Sequence, residues 1–363
     1  MSATVRTLVV PRPGVLEVEE GDEPPLAAGR FRAHTLFTGL SAGTELTWYR
    51  GTNPYLSAGW DADLGLFDRD RPAQGYPVRR LGYMEVARVT DSRTPAVTEG
   101  GLVAMAYGHT TVHHGDPLAA HVVPLPDGLD PRLGVYVAHL GPICVNGVLH
   151  AAADAGGGRL ADGVAGRLVA VTGGGPIGLL VGMLARVHGA AEVVVLDPTE
   201  RRRAAAVALG LQADEDTPDA VRALKARWRH GPADHGADVV FQCRGQAAAL
   251  ATALRALRPQ GTVVDLAFYT GGADVVAFGE EFHHNGLTVR CAQIGRVPRG
   301  LAHLWDRRRL SHETVALLAD HGAGVLAHLL TDVVPFDEAP GLFADLSARR
   351  RHLISAAFAL PPP

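Results

Sequence analysis

Hydrophobic and polar positions change their rhythm at about residue 135. Before it, apolar residues come in short runs, VRTLVV, GVLEVEE, RFRAHTLF, MEVARVT and GLVAMAY, separated by Gly, Pro and Asp. Runs of this length with turn residues between them predict the strands of a small antiparallel β domain. Residues 51–80, GTNPYLSAGWDADLGLFDRDRPAQGYPVRR, keep no period and are expected to form one long loop, ordered by Tyr55, Trp60, Phe67 and Tyr76. From Val135 the stretch VYVAHLGPICVNGVLHAAADA reads as a helix. Strand and helix patterns then alternate through RLVAVTG, PIGLLVGMLARVHG, EVVVLD, TERRRAAAVALG, ADVVFQC, AAALATALRAL and GTVVDLAF. Such alternation predicts βαβ units around a parallel sheet, and the near-continuous Val/Ala/Leu strands predict burial on both faces. After Gly286 come the strand-like LTVRCAQIG and the helices WDRRRLSHETVALLADHG and EAPGLFADLSARR. His283 and His284 fall on the passage into that strand and are read as structural or solvated.

One apolar stretch, LVAVTGGGPIGLLVGMLA at 168–185, has the length of a membrane span. Three glycines and a proline at its centre predict a buried strand, a tight turn and a buried helix instead. The turn Gly173-Gly174-Gly175-Pro176-Ile177-Gly178 is a G-x-G-x-x-G in the strand-to-helix context that gives this motif its meaning. Gly173 permits the turn, Gly175 lets a diphosphate approach the backbone, and Gly178 lets the helix pack against the strand. The first amides of the helix, with Pro176 and Ile177 opening it, would face the phosphates. Nineteen residues after Gly178, Asp197 closes the next strand, where an acid accepts a hydrogen bond from the adenosine ribose. That acid favours NAD over NADP, while Arg201, Arg202 and Arg203 keep NADP open. The bland alternatives are a glycine turn that binds nothing and a solvated arginine-rich helical turn.

Composition narrows the class. The chain has 363 residues with 47% apolar and 20% charged residues, which predicts a packed protein of two domains. A net charge of −4 argues against a broad nucleic-acid or membrane surface. Cys144, Cys243 and Cys291 are scattered and odd in number, so no disulfide framework is expected. The start MSATVRTLVVPRPG lacks a long apolar segment, so a cytoplasmic protein is expected.

The segment LFTGLSAGTELTWY at 36–49 breaks a strand at a turn with two hydroxyls and a carboxylate, Ser41, Thr44 and Glu45. Thr44 reads equally as the cap of a helix starting near Leu46. Taken with VAVTGGGPIGLL, GADVVFQCRG, GTVVDLAF and LTVRCAQIG, the chain resembles the medium-chain dehydrogenase/reductase superfamily over nearly its whole length. EFHHNGLTVRCAQIGRVP and the helix starting WDRRRL resemble a bacterial branch with hydroxyethyl-bacteriochlorophyllide dehydrogenases and related biosynthetic enzymes. The resemblance implies an α/β protein: a GroES-like β domain over 1–145, a Rossmann doubly wound parallel-sheet domain over 146–290, and a return to the first domain over 291–363.

The resemblance also implies what is missing. TGLSAGTEL lies where relatives carry the first catalytic zinc ligand, LGYMEVARV where they carry Gly-His-Glu, and Gly141-Pro142 near the third ligand. Here Ser41 and Ala42, Tyr83, and Gly141 and Pro142 occupy those places, and the cysteine-rich lobe is absent, which implies a zinc-free member. His109, His113, His114 and His139 with Glu45 are the one alternative metal set. Without metal, the substrate oxygen needs a donor or acid, for which Tyr83, Thr44, Glu45, His109 and His139 are the candidates. Each also has a structural reading: Tyr83 as filler of the former metal site, Glu45 as a supporting carboxylate. The resemblance places Cys144 and Asn146 on a helix beside the nicotinamide. Cys243, Phe268 and Gln293, near the ends of later Rossmann strands, are expected at the cofactor. The expected activity is secondary alcohol–ketone interconversion on a polar biosynthetic small molecule. Enoyl or quinone reduction and a non-catalytic nucleotide binder are the alternatives. LTVRCAQIG, an edge strand that pairs across a two-fold axis in relatives, implies a homodimer.

Overall fold

The computed structural model describes residues 4–71 and 73–361 and divides the chain into two compact units. One comprises Met1–His139 with Leu330–Pro363, the other Leu140–Leu329.

In the second unit the apolar runs form one parallel sheet, in which Gln212–Asp214, Glu192–Leu196, Leu168–Thr172, Ala237–Gln242, Leu257–Asp265 and Thr288–Cys291 lie side by side. Numbered along the chain, that order is 3-2-1-4-5-6, the doubly wound order of a Rossmann sheet. Ala170, Val194, Leu196, Val240, Leu254 and Val263 pack into its core, each large aliphatic contributing roughly 1.5–3 kcal/mol by leaving water. The order reverses between Leu168–Thr172 and Ala237–Gln242, so their carboxyl ends flank the crevice where such sheets hold ligands.

The first unit is the GroES-like part. A seven-stranded sheet is built on Phe31–Leu40, which pairs with Glu85–Ser92, Val112–Gly115 and the C-terminal strand Ser355–Ala359. A hairpin of Thr4–Arg12 and Val15–Asp22 adds to it, and Leu8, Leu40, Leu46, Tyr49, Phe343 and Phe358 share one core.

Two expectations change. The second domain runs from Leu140 to Leu329 rather than over 146–290. The strand Thr288–Cys291 completes the parallel sheet, and the helix Arg307–His328 packs on Leu140–Asp154, so both stay with the second unit. The expected helix after Val135 is split into a 3-10 turn, Pro131–Tyr136, and a helix α2, Leu140–Asp154. Pro142 explains the break, because proline is accepted in a first helical turn and not in an interior.

The stretch 51–80 is less irregular than its sequence. Pro54–Leu56 forms a 3-10 turn, and Gly59–Asp61 pairs with Leu66–Asp68 as a hairpin. Asp61 is buried and accepts from the amides of Asp63 and Leu64 while pairing with Arg71, which shapes the hairpin turn. The base is tied to the preceding helix α1, Ala42–Arg50: Asn53 Nδ2 donates to Thr47 Oγ1 at 2.7 Å, and the Tyr76 hydroxyl donates to Trp48 O at 2.7 Å.

Glu85 is a buried carboxyl of the first unit. It accepts from Thr35 Oγ1 at 2.5 Å, its other oxygen has no partner, and burial pushes its carboxyl up to about 8. A folded-state value above the unfolded one means the native protein holds the extra proton. Stability from this group is therefore full below about pH 4.5 and is lost as pH rises towards 8. The Glu85→Gln variant should abolish this decline, raising Tm at pH 8 by several degrees against wild type and leaving it near wild type at pH 5. Parallel Tm–pH curves for the two proteins would refute the assignment.

Candidate active site and nucleotide turn

The turn that ends Phe31–Leu40 opens α1, with Ser41 at the N-cap position. Thr44 therefore lies inside the first helical turn, not at the cap. Glu45 reaches back one turn, and its Oε1 accepts from the Ser41 amide at 2.7 Å. Its Oε2 lies 2.6 Å from His109 Nε2, and His109 Nδ1 lies 2.9 Å from Thr38 Oγ1. Both side chains are 1% exposed. Each Glu45 oxygen holds a partner and both residues are buried, the arrangement of a supporting carboxylate and imidazole behind the turn. Gly82, at φ +90, lets the chain pass over the imidazole: a Cβ there would lie 2.8 Å from His109 Nε2.

Tyr83 follows that glycine and is partly exposed. Its hydroxyl makes a short hydrogen bond with Ser41 Oγ and donates to Thr44 Oγ1 at 3.3 Å, while His139 lies 4.4 Å away ring to ring. Burial lifts the phenol above its ordinary value, and the bonds from Ser41 and Thr44 oppose that only in part. At neutral pH the group is a phenol, a hydrogen-bond donor. Sequence reasoning placed the Ser41 hydroxyl in this turn beside Thr44 but did not count it among the catalytic candidates.

The donor set does not suit zinc. At the positions that the resemblance assigns to ligands, this chain presents a hydroxyl at Ser41 and a protonated phenol at Tyr83, while Gly141 and Pro142 open α2 without ligating side chains. The alternative histidine set is dispersed among separate partners. His114 bonds Glu23, and His113 stacks on Tyr107 at 3.5 Å and is pushed down to about 4, chiefly by burial. Among the described residues no three His, Cys, Asp or Glu side chains converge as a metal site.

In the second unit the glycine turn has the expected build. Gly173 follows strand Leu168–Thr172, and Gly175 caps helix α3, Pro176–Val187, with Pro176 and Ile177 in its first turn. A Cβ on Gly178 would stand 1.8 Å from Gly173 O, so helix and turn meet only without one. A Cβ on Gly175 would meet nothing within 4 Å, leaving open space beside a helix N-terminus, as a diphosphate requires. These residues fit a dinucleotide.

Asp197 is fully buried and stitches the turn to the next strand: Oδ2 accepts from the Gly174 amide at 2.7 Å and Oδ1 from Thr199 at 2.8 Å. Arg202 Nη1 lies 3.6 Å from its carboxylate, and Arg203 donates to Asp197 O. Cys243 follows strand Ala237–Gln242 at the switch point, with its thiol raised by burial. Phe268 is exposed, and the Gln293 side chain holds the Gly295 amide. Cys144 is buried in α2 and donates to Leu140 O, and Asn146 Nδ2 reaches Ala292, Gln293 and Arg296 carbonyls. Sequence reasoning missed a polar chain across three strand ends. Thr172 donates to Gln242, Gln242 Nε2 to the Tyr269 hydroxyl, and that hydroxyl to Asp265. It satisfies buried polar atoms and fixes the lip of the crevice.

Comparison with known proteins agrees with this build. A family described as zinc-binding dehydrogenase matches residues 176–306. D-guloside 3-dehydrogenase of Shigella flexneri is 25% identical over 356 residues, 93% of this chain and 94% of that protein. Among solved structures, L-idonate 5-dehydrogenase of Escherichia coli K-12 aligns over 99% of both chains with TM-score 0.74 and 17% identity. An alcohol dehydrogenase of Escherichia coli CFT073 complexed with NADH aligns over 99% of this chain and all of that one, at TM-score 0.72 and 15% identity. No helix among the described residues is long and apolar enough to cross a membrane.

Proposed function

We infer that the chain is a nicotinamide-dependent oxidoreductase of alcohols and ketones in the medium-chain dehydrogenase/reductase superfamily. From that premise we propose that it interconverts a secondary alcohol and a ketone on a polar, sugar-like substrate, with NAD and without zinc. The observation that carries this reading is the Ser41–Tyr83–Thr44 hydroxyl cluster at the position of the family's metal turn. The substrate class is supported by the guloside dehydrogenase likeness along nearly the whole chain.

When bound, the nicotinamide exchanges a hydride with the substrate carbon. The chain supplies the rest. Tyr83 donates its phenolic proton to the carbonyl oxygen as that oxygen gains charge, and takes it back from the hydroxyl in the oxidative direction. Ser41 and Thr44, within hydrogen-bond reach of the phenol, keep it aimed and relay to it the replacement proton, which comes from solvent. Glu45 and His109 are positioning residues that fix the turn carrying Ser41. The glycine turn and the first amides of α3 would hold the diphosphate, with the adenosine ribose beside Asp197.

Purified protein with NAD and a panel of sugar glycosides, cyclic ketones and enones tests the proposal. Alcohol–ketone turnover unaffected by chelators supports it, stoichiometric zinc needed for turnover overturns its metal-free part, and turnover of enones alone would make the protein an enoyl or quinone reductase. Because Asp197 brings a buried negative charge to the turn, NAD should bind at least tenfold more tightly than NADP by calorimetry. Equal affinities would defeat that assignment. The strand Thr288–Cys291 ends the sheet with Val289 exposed, which supports a homodimer paired through this edge. Sedimentation at micromolar concentration should give a dimer mass, and a monomer would contradict it.

A further inference from the structure

The hairpin in residues 51–80 carries an aromatic row that the proposed reaction leaves unexplained. Trp48 and Tyr55 stack with centroids 6.2 Å apart, Tyr55 meets Phe67 edge-on at 5.1 Å, and Phe67 meets its cross-strand partner Trp60 at 5.1 Å. Tyr55, Trp60 and Phe67 are 36%, 45% and 44% exposed, with Leu64 and Leu66 exposed beside them. Contiguous exposed aromatics on a well-braced hairpin mark a binding surface in a soluble protein. The row begins next to the site already described: Trp48 is four residues after Thr44 on α1, hence on the same helix face.

We infer that this row is a second substrate subsite, which holds the aglycone or second ring of a neutral glycoside while its sugar is presented to Tyr83. The inference rests on the proposed sugar chemistry. Three observations select this occupant. Tyr55, Trp60 and Phe67 leave part of each ring open beyond their mutual contacts, and the C–H face of a pyranose or an aryl group packs well against an aromatic π surface. The aromatics are interleaved with Asp63, Asp68, Arg69 and Asp70, side chains suited to hydroxyl groups. Protein interface cores are instead depleted of charge, which argues against a protein partner. Residues 59–71 hold four aspartates against two arginines, so a phosphorylated or carboxylated sugar would be repelled.

The test compares a methyl glycoside with the phenyl glycoside of the same sugar, using the full-length protein with NAD. Wild type should prefer the phenyl glycoside in kcat/KM by at least tenfold. In Trp60→Ala and Phe67→Ala that ratio should fall at least fivefold, mainly through KM, and Trp60→Phe should restore much of it. Calorimetry of phenyl glycoside binding to the NAD-saturated protein reads the subsite separately. If wild type binds the phenyl glycoside more tightly than the methyl glycoside and the alanine variants lose that difference, the subsite stands even where turnover fails. An unchanged ratio or unchanged binding in the variants overturns it. So does a shift of Trp60→Ala to a smaller oligomer by sedimentation, which would make the row an interface between copies.

Discussion

Tyr83→Phe should lower kcat by about a hundredfold, within the range by which a positioned acid–base group contributes, while the Kd for NAD stays within twofold of wild type. The loss is confined to turnover because the ring, its packing against His139 and the glycine turn all survive the change. Only the hydroxyl that meets Ser41 and Thr44 disappears. Ser41→Ala should cost less, since it removes a partner of the phenol and not the phenol itself. Burial keeps the Tyr83 proton in place, so the reduction rate should hold steady across neutral pH and decline only on the alkaline side of the ordinary tyrosine range. Wild-type turnover in the phenylalanine variant would remove Tyr83 from the reaction and reopen the question of how the oxygen is polarised.

Gly178→Ala should weaken NAD binding by at least about a hundredfold, the order of effect that a displacement near 1 Å has on a tightly positioned group. The added methyl would stand 1.8 Å from Gly173 O, a backbone atom that cannot rotate away. Either the turn opens or α3 lifts from its strand, and both movements spoil the phosphate cradle. A fall in Tm should accompany the loss, since Gly178 is buried between them. Gly175→Ala provides the contrast: its methyl points into open space, so Tm should hold while NAD affinity drops. Unchanged calorimetric titrations in both variants would show that the turn does not hold the dinucleotide.

Local signals carried the second unit. A Val-rich strand, three glycines and an acid nineteen residues later are all legible within about thirty residues, and the alternation around them implies a parallel sheet whose order, 3-2-1-4-5-6, only the structure gives. The first unit was harder because its decisive partners are distant in the chain. Glu45 and His109 are sixty-four positions apart, and nothing in either neighbourhood announces that they saturate each other. Tyr83 and Ser41 were both legible as replacements at ligand positions, but the bond between them was not, because forty-two residues separate the two side chains. The hairpin at Gly59–Asp68 escaped notice since strands of three residues are too short to show alternation. The return point at Leu330 was hidden because Thr288–Cys291 and Arg307–His328 look alike to periodicity whichever unit owns them.

The double attachment of Asp197 has a consequence for anyone redesigning coenzyme preference. Exchanging this acid for a small neutral residue is the obvious route to accepting a 2′-phosphate, yet here it would also release the Gly174 amide and the start of the following helix at Thr199. On the proposed reading one carboxylate serves both selectivity and grip, so a swap would have to arrive with a replacement acceptor for those two amides, or lose both coenzymes together.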